Sequence, residues 1–254
     1  MWLHMIEKRF KNRIHAGKLL AKELSAYGQR SDVLVLALPR GGVPVAFAIA
    51  NSLDAPLDVM LVRKLGVPGN EELAMGAIAC GGKPVMTSDV VQMYGITADV
   101  IDAAAARELR EIERRERVYR PDAAPPELRG RVVILVDDGV ATGATMLAAV
   151  QAARSDAPAH LVVAIPVGAA ETCDMLRREA DELVCLSTPH PFFAVGQWYA
   201  DFTQTSDEEV VKLLREARQH ERELRKHGRS DSGSGNGSVS AEGQADASQQ
   251  RSKA

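Results

Sequence analysis

The stretch VVILVDDGVATGAT, from Val132 to Thr145, places two adjacent carboxylates directly after five apolar residues and follows them with a small loop. A run of apolar residues without polar alternation is typical of a strand that is buried on both faces of a parallel sheet. The loop contains Gly, Ala and Thr, which are small enough to let backbone N–H groups point inward at the start of a helix. The stretch therefore predicts a strand, a ligand-binding loop and a helix in succession.

The same alternation of strand and helix recurs along the chain. Strands are predicted at 33–38, 57–62, 132–136, 161–166 and 182–186, with weaker β signals at 74–79 and 83–87, and helices at 5–27, 43–53, 97–120, 144–154, 169–180 and 206–227. This order predicts an α/β fold with a mostly parallel central sheet flanked by helices. We expect one domain over residues 1–227 and a disordered low-complexity tail over 228–254, because the tail has too few apolar side chains to form a core.

Composition narrows the classes of function. The chain has 254 residues and a formal net charge of -3, with an isoelectric point near 6.1, which disfavours a nucleic-acid partner. Three widely spaced cysteines support neither a disulfide framework nor a CxxC metal site. No apolar run approaches the roughly 20 residues of a membrane span, and the first residues lack the apolar core of a signal peptide. These features predict a cytoplasmic protein with no membrane partner.

The acids Asp137 and Asp138 define the first candidate site. Ligands of such folds bind beyond the carboxyl ends of the strands. Two neighbouring carboxylates repel each other unless a cation or hydroxyl groups lie between them, and a sugar diol, with or without Mg²⁺, would satisfy both. Backbone amides of the following loop would bind a phosphate. An Asp N-cap followed by an ordinary turn is the alternative, whereas a P-loop is disfavoured because no Lys follows the glycine.

The two acids and the ATGAT loop resemble the 5-phosphoribosyl diphosphate (PRPP) signature of the type I phosphoribosyltransferases. The resemblance covers most of residues 1–227 and is closest to a bacterial group of predicted phosphoribosyltransferases. It implies that Asp137 and Asp138 bind the ribose hydroxyls and also Mg²⁺, directly or through water. It further implies that the 5-phosphate is bound by Ala141, Thr142, Gly143, Ala144 and Thr145.

The resemblance also implies an activity, substrates and a cofactor. PRPP would donate its phosphoribosyl group to a heterocyclic acceptor in nucleotide salvage, with Mg²⁺ as the cofactor and pyrophosphate as a product. Dimers are common in the family, although the sequence does not determine the oligomeric state. A small hood, formed mainly by residues 187–205 with the N-terminal segment, would bind the acceptor.

Arg40, Gly41 and Gly42 follow the first predicted strand and form the second candidate site. A cation beside two glycines allows close approach to an anionic ligand. The segment resembles the pyrophosphate-binding loop of the family, which often contains a cis peptide bond. An ordinary turn with a solvent-facing Arg40 is the alternative.

Arg63 and Lys64 follow the second predicted strand and precede a loop with Gly and Pro. In the family, a flexible loop here closes over PRPP, and two cations in it would neutralise the departing pyrophosphate. We therefore predict Arg63 and Lys64 as the catalytic residues. Glu71 and Glu72 either face Mg²⁺ or are simply solvated.

The fourth candidate is an aromatic cluster before the last helix, where Trp198 and Phe193 are predicted to stack on a planar acceptor. Packing of the terminal helix onto the core is the alternative for these side chains. The arginine-rich 107–131 region is predicted to be a solvated amphipathic helix, with a dimer face or an RNA contact as alternatives. The histidines show no metal-ligand spacing. Purine-specific members of the family that the chain resembles commonly carry an acid at the fifth position of the signature, counted from Asp137, whereas members that act on other bases tolerate Ala or Thr. Here the position is Ala141, so the resemblance implies no general base at this point.

The sequence thus predicts a phosphoribosyltransferase. Its rival is a regulator that keeps the PRPP fold to sense nucleotides or PRPP, with RNA binding as a variant of that role. A Rossmann-type domain of unrelated chemistry ranks last, because the glycine fingerprint is absent.

Overall fold

The computed structural model describes residues 10–79, 84–121 and 124–230. Its helices are α1 (Arg13–Glu23), α2 (Gly42–Leu53), α3 (Ser88–Met93), α4 (Ala98–Tyr119), α5 (Ala144–Ser155), α6 (Ala170–Glu179) and α7 (Asp207–Ser230). Its strands are β1 (Val33–Ala37), β2 (Leu57–Val59), β3 (Val62–Val67), β4 (Asn70–Ala79), β5 (Val85–Met86), β6 (Val132–Val136), β7 (His160–Val167) and β8 (Glu182–Ser187). Within these residues no helix is both long and apolar enough to cross a membrane.

Five strands form one parallel sheet in the order β2-β1-β6-β7-β8. Every residue of β1 and β6 is buried, and alternate side chains enter two separate cores on the two faces of the sheet. One core lies under α1, α2 and α7, and the other lies under α5 and α6. The predicted α/β fold with a sheet buried on both faces is confirmed.

The strand order reverses between β1 and β6, because the chain first builds outward from β1 to β2 and then continues on the other side of β1. Open α/β sheets bind ligands at such a switch point, beyond the carboxyl ends of the strands. Ala37 and Val136 are register partners, and the N–H of Leu38 donates to the carbonyl of Val136 at 2.8 Å. The loops that follow β1 and β6 therefore begin side by side.

The predicted strand at 57–62 is wrong as a single element. β2 ends at Val59, and Val62 begins an antiparallel hairpin in which β3 pairs with β4 and β4 pairs with β5. Arg120 marks the break, since its guanidinium donates to the Asp58 carboxylate at 2.8 Å and also to the Val59 carbonyl. The weak β signals at 74–79 and 83–87 belong to this hairpin, with Lys83 outside the described residues.

The first helix begins at Arg13 rather than at residue 5. Asn12 caps it by accepting the N–H of His15 at 2.9 Å. Phe10 and Lys11 instead exchange backbone hydrogen bonds with residues 198–201, and residues 1–9 lie outside the described part. Of the predicted tail, 231–254 also lie outside it, and α7 continues to Ser230.

Candidate functional site

Asp137 and Asp138 lie at the carboxyl end of β6, directly at the switch point. The backbone N–H of Asp138 donates to Oδ1 of Asp137 at 2.8 Å, and Nε of Arg13 donates to Oδ2 of Asp138 at 2.8 Å. The hydroxyl of Tyr199 donates to the backbone carbonyl of Asp138 at 2.6 Å. The acid pair is thus fixed from β6 itself, from α1 and from the segment after β8.

Burial raises the pKa of the Asp137 carboxyl well above its ordinary value, and the neighbouring Asp138 charge raises it further. Burial also raises the pKa of Asp138, although the hydrogen bond from Arg13 opposes this shift. Ionising both carboxyls in this buried position is therefore unfavourable without a further partner. A ligand that brings hydroxyl donors or a cation would relieve this cost.

Oxygen donors of this kind suit Mg²⁺, which is usually held by one or two carboxylates together with substrate oxygens and water. Across the described residues, no group of three or more His, Cys, Asp or Glu side chains could hold a metal by itself. The acid pair consequently fits a metal only when a ligand supplies further oxygens.

The loop after the acids leads into α5, which starts at Ala144. Gly143 caps the helix in the left-handed region, with φ of 73°, and a β-carbon there would lie 2.5 Å from Cγ2 of Thr172. Ala141, Thr142 and Thr145 are exposed. In the described part of the chain, no N–H of residues 141–143 donates to a protein acceptor. Exposed amides at a helix N-terminus form a site for an anion.

Thr172 holds this loop from behind. Its side chain is buried in the first turn of α6, and its hydroxyl donates to the Ala141 carbonyl at 2.6 Å. The sequence contains no local signal for this role, because Thr172 lies 31 residues from Ala141.

The loop after β1 packs against the acids. The peptide bond between Pro39 and Arg40 is cis. A β-carbon on Gly41 would lie 2.1 Å from Oδ2 of Asp138, and one on Gly42 would lie 2.6 Å from the Val136 carbonyl oxygen. Side chains at these two positions would displace the acids or the strand end, which is a physical reason for both glycines. Arg40 lies 3.8 Å from the Asp207 carboxylate at the start of α7.

The sequence predicts that Arg63 and Lys64 follow the end of a strand. In the structure they lie within β3 of the hairpin instead. Nε of Arg63 donates to the Glu108 carboxylate of α4 at 2.9 Å. The segment after them is paired as β4 rather than open loop, with Glu71 exposed and the Glu72 side chain outside the described part.

Arg63 also lies close to two segments that carry or flank candidate residues. A narrow cleft brings it together with Pro39 of the β1 loop and Thr145 of α5. Arg115 of α4 lines the same cleft, although the charge pattern of the 107–131 region predicts a solvated helix face. The cleft thus brings Arg63 close to the β1 loop and to the start of α5.

The aromatic residues separate into two groups. Trp198 packs with Phe10 and Tyr199, and its indole N–H is buried without a protein partner among the described residues. Phe193 is 74% exposed. Phe202, for which the sequence predicts no role, lies with its ring centre 5.0 Å from that of Tyr199 and beneath the Arg13 guanidinium.

The chain matches a known family model, curated relatives and solved structures. The sequence model of the phosphoribosyl transferase domain matches residues 8–200. A Mycobacterium tuberculosis H37Rv protein named "Putative phosphoribosyl transferase Rv0571c" is 49% identical over 207 residues, which is 82% of this chain and 46% of that protein. The crystal structure of TT1426 from Thermus thermophilus superposes with a TM-score of 0.76 at 43% identity, and covers 81% of this chain and 97% of that one. The chain therefore spans about half the length of its mycobacterial relative.

Proposed function

The chain belongs to the phosphoribosyl transferase domain family, and we propose that it transfers the 5-phosphoribosyl group of PRPP to a nitrogenous acceptor, releasing pyrophosphate in an Mg²⁺-dependent reaction. The acceptor is a nucleobase or a related heterocycle, and the reaction belongs to nucleotide salvage in the cytoplasm. The proposal is carried by the contact between the β1 loop and the acid pair, where Gly41 lies directly against Asp138. This contact supports a shared ligand space between the cation-bearing loop, the pair of acids and the N-terminus of α5.

Each part of that space suits one part of PRPP. Asp137 and Asp138 accept the ribose hydroxyls, and the amides of residues 141–145 bind the 5-phosphate. Arg40, with Gly41 and Gly42, binds the pyrophosphate. Supporting this division, the phosphate loop and the β1 loop lie on adjacent strands with the acids between them.

The protein contributes mainly position and charge. The bond between ribose C1 and the pyrophosphate oxygen breaks, and its electron pair leaves with the pyrophosphate. The lone pair of the acceptor nitrogen forms the C1–N bond, and the acceptor loses one proton to the solvent. Arg63 and Lys64 compensate the charge on the departing pyrophosphate, which is the electrostatic stabilisation that such a leaving group needs. Mg²⁺ held between the acids and the ligand oxygens would supply further positive charge.

The acceptor lies on the side of residues 187–205, beside Trp198 and Phe193. The buried indole N–H of Trp198 lacks a protein partner among the described residues, which supports a polar role for this side chain. Because Ala141 offers no acid at the fifth signature position, the acceptor is one that loses its proton readily.

Binding of PRPP tests the proposal directly. Calorimetry with Mg²⁺ compares the wild type with an Asp137→Asn/Asp138→Asn variant and with Asp156→Asn, which removes an exposed acid at the other end of α5. We expect the wild type and Asp156→Asn to bind and the double variant to lose binding. Absence of binding to the wild type would reject PRPP as the ligand.

Pyrophosphate release with a panel of bases then separates enzyme from sensor. Release with one base identifies the acceptor. Tight PRPP binding without release for any base would instead favour the regulator, in which the same site reports the ligand concentration.

A further inference from the structure

Arg13 connects three groups from two parts of the site. Its Nε donates to Oδ2 of Asp138 at 2.8 Å, and its Nη1 donates to the Thr203 carbonyl at 2.7 Å. Its guanidinium carbon lies 3.9 Å from the centre of the Phe202 ring. The Arg13 and Asp138 side chains are only 11% and 14% exposed. The guanidinium is therefore fixed by an ion pair, a backbone acceptor and an aromatic face at once.

Such a pair differs from the exposed salt bridges of the surface. An exposed ion pair is screened by water and contributes little. A shielded guanidinium–carboxylate hydrogen bond is stronger and fixes the orientation of the carboxylate. Asp138 is also held through its backbone, by Asp137 on its N–H and by Tyr199 on its carbonyl. Arg13 supplies the constraint that remains, the direction of the side chain.

The location of Arg13 explains why this constraint matters. It opens α1, and α1 is capped by Asn12 so that the side chain starts from a rigid position. Thr203 and Phe202 belong to the segment that follows Trp198 and Tyr199. One side chain thus links the acid that faces the ribose to the segment beside the acceptor region.

We propose that Arg13 is a positioning residue of the ribose site, which holds one oxygen of the Asp138 carboxylate so that the other faces the ribose and which ties this acid to residues 201–205. The inference rests on the proposed function, since it assigns a ribose hydroxyl to Asp138. Arg13 acts through Asp138 and does not itself contact the reacting atoms.

The test compares charge removal at two positions of the same helix. PRPP binding with Mg²⁺ is measured by calorimetry for the wild type, Arg13→Gln, Arg13→Lys and Lys18→Gln, where Lys18 is exposed on α1. We expect Arg13→Gln to weaken binding by about tenfold, as loss of a charge-assisted hydrogen bond between shielded groups would. Arg13→Lys should recover part of the loss, because an ammonium can still donate to Asp138. Lys18→Gln should bind as the wild type does.

Two further measurements separate a positioning role from a general effect on folding. Thermal unfolding shows whether each variant folds. If Arg13→Gln does not fold, the PRPP affinity of Arg13→Lys tests the inference. Hydrogen exchange at the amides of residues 201–205 should be faster in Arg13→Gln and near wild type in Arg13→Lys.

Wild-type affinity in Arg13→Gln would overturn the inference while leaving the proposed function intact. The inference would also be overturned if Arg13→Lys lost as much affinity as Arg13→Gln and hydrogen exchange at residues 201–205 were unchanged in both variants. Failure of the wild type to bind PRPP would overturn the proposed function itself, and this assignment of the ribose acid with it.

Discussion

Gly41 and Asp138 lie so close that a β-carbon added to Gly41 would be 2.1 Å from Oδ2 of Asp138. The two residues are almost a hundred positions apart in the chain, yet the parallel pairing of β1 with β6 brings their loops together. Neither loop can move without displacing the other. The contact makes the shape of the pyrophosphate loop and the position of the ribose acid interdependent.

Gly41→Ala should therefore weaken PRPP binding. The methyl group would force the Asp138 carboxylate or the loop to shift, and such overpacking costs roughly 1–3 kcal/mol of stability as well. Calorimetry and chemical denaturation would measure the two effects. Gly28→Ala is the control, because its β-carbon would lie 3.2 Å from the Ser25 carbonyl oxygen, a tight contact but a much smaller overlap than at Gly41. Equal binding by Gly41→Ala and the wild type would show that the loop adapts freely.

Asp137→Asn should stabilise the protein while abolishing PRPP binding. Burial and the Asp138 charge raise the pKa of Asp137 in the folded state. An acid with a raised folded pKa binds more protons when folded, so the wild type loses stability as pH rises above about 4, the ordinary value for an unfolded Asp. The asparagine carries no such charge and keeps an oxygen that can accept the Asp138 N–H.

Thermal unfolding of the wild type and of this variant between about pH 5 and pH 8 would measure the effect. Over this range the Asp137 carboxyl is already ionised in the unfolded chain, whereas its raised pKa opposes ionisation in the folded protein. We expect a higher midpoint than that of the wild type at the upper end and a smaller difference at the lower end. A lower midpoint for Asp137→Asn at every pH would contradict the electrostatic explanation.

Thr172→Val should weaken the binding of ligands that carry the 5-phosphate. Valine keeps the shape beside Gly143 but loses the hydroxyl that donates to the Ala141 carbonyl. Thr172→Ser restores the donor and should recover most of the affinity. Ser155→Ala provides the matched loss of a hydroxyl that donates to a backbone carbonyl, at the far end of α5. Titration with ribose 5-phosphate would measure all three, and an unaffected valine variant would exclude a bracing role.

Arg63→Gln should slow pyrophosphate release more than it weakens PRPP binding, because its charge is needed most as the leaving group departs. Arg107→Gln is the control, since Arg107 donates to the same Glu108 carboxylate at 3.2 Å and is 56% exposed. Burial raises the pKa of Glu108, but the hydrogen bonds from Arg63 and Arg107 outweigh this and lower it. Single-turnover kinetics would separate the two steps. Equal effects of the two substitutions would assign Arg63 a structural role only.

The break after β2 is not encoded in the local sequence pattern. Residues 57–62 form one apolar run, and a run of this kind does not reveal which partner strand each residue will find. The pairing of β2 with β1 ends at Val59, where Arg120, the residue that follows α4, donates to the Val59 carbonyl. The sequence consequently predicts a strand exit at Arg63, although Arg63 lies inside β3 of the hairpin.

The sequence alone determined the parallel α/β fold and the acid pair with its small loop. Both follow from residues that are neighbours in the chain, since a continuous apolar run predicts a strand buried on both faces and the small residues after it predict the turn into a helix. Only the tertiary structure decided which distant residues complete the site. Arg13 lies 125 positions from Asp138, and Thr172 braces a loop from another helix. Contacts of this kind depend on how the helices pack on the sheet, and no local pattern of polar and apolar residues encodes that packing.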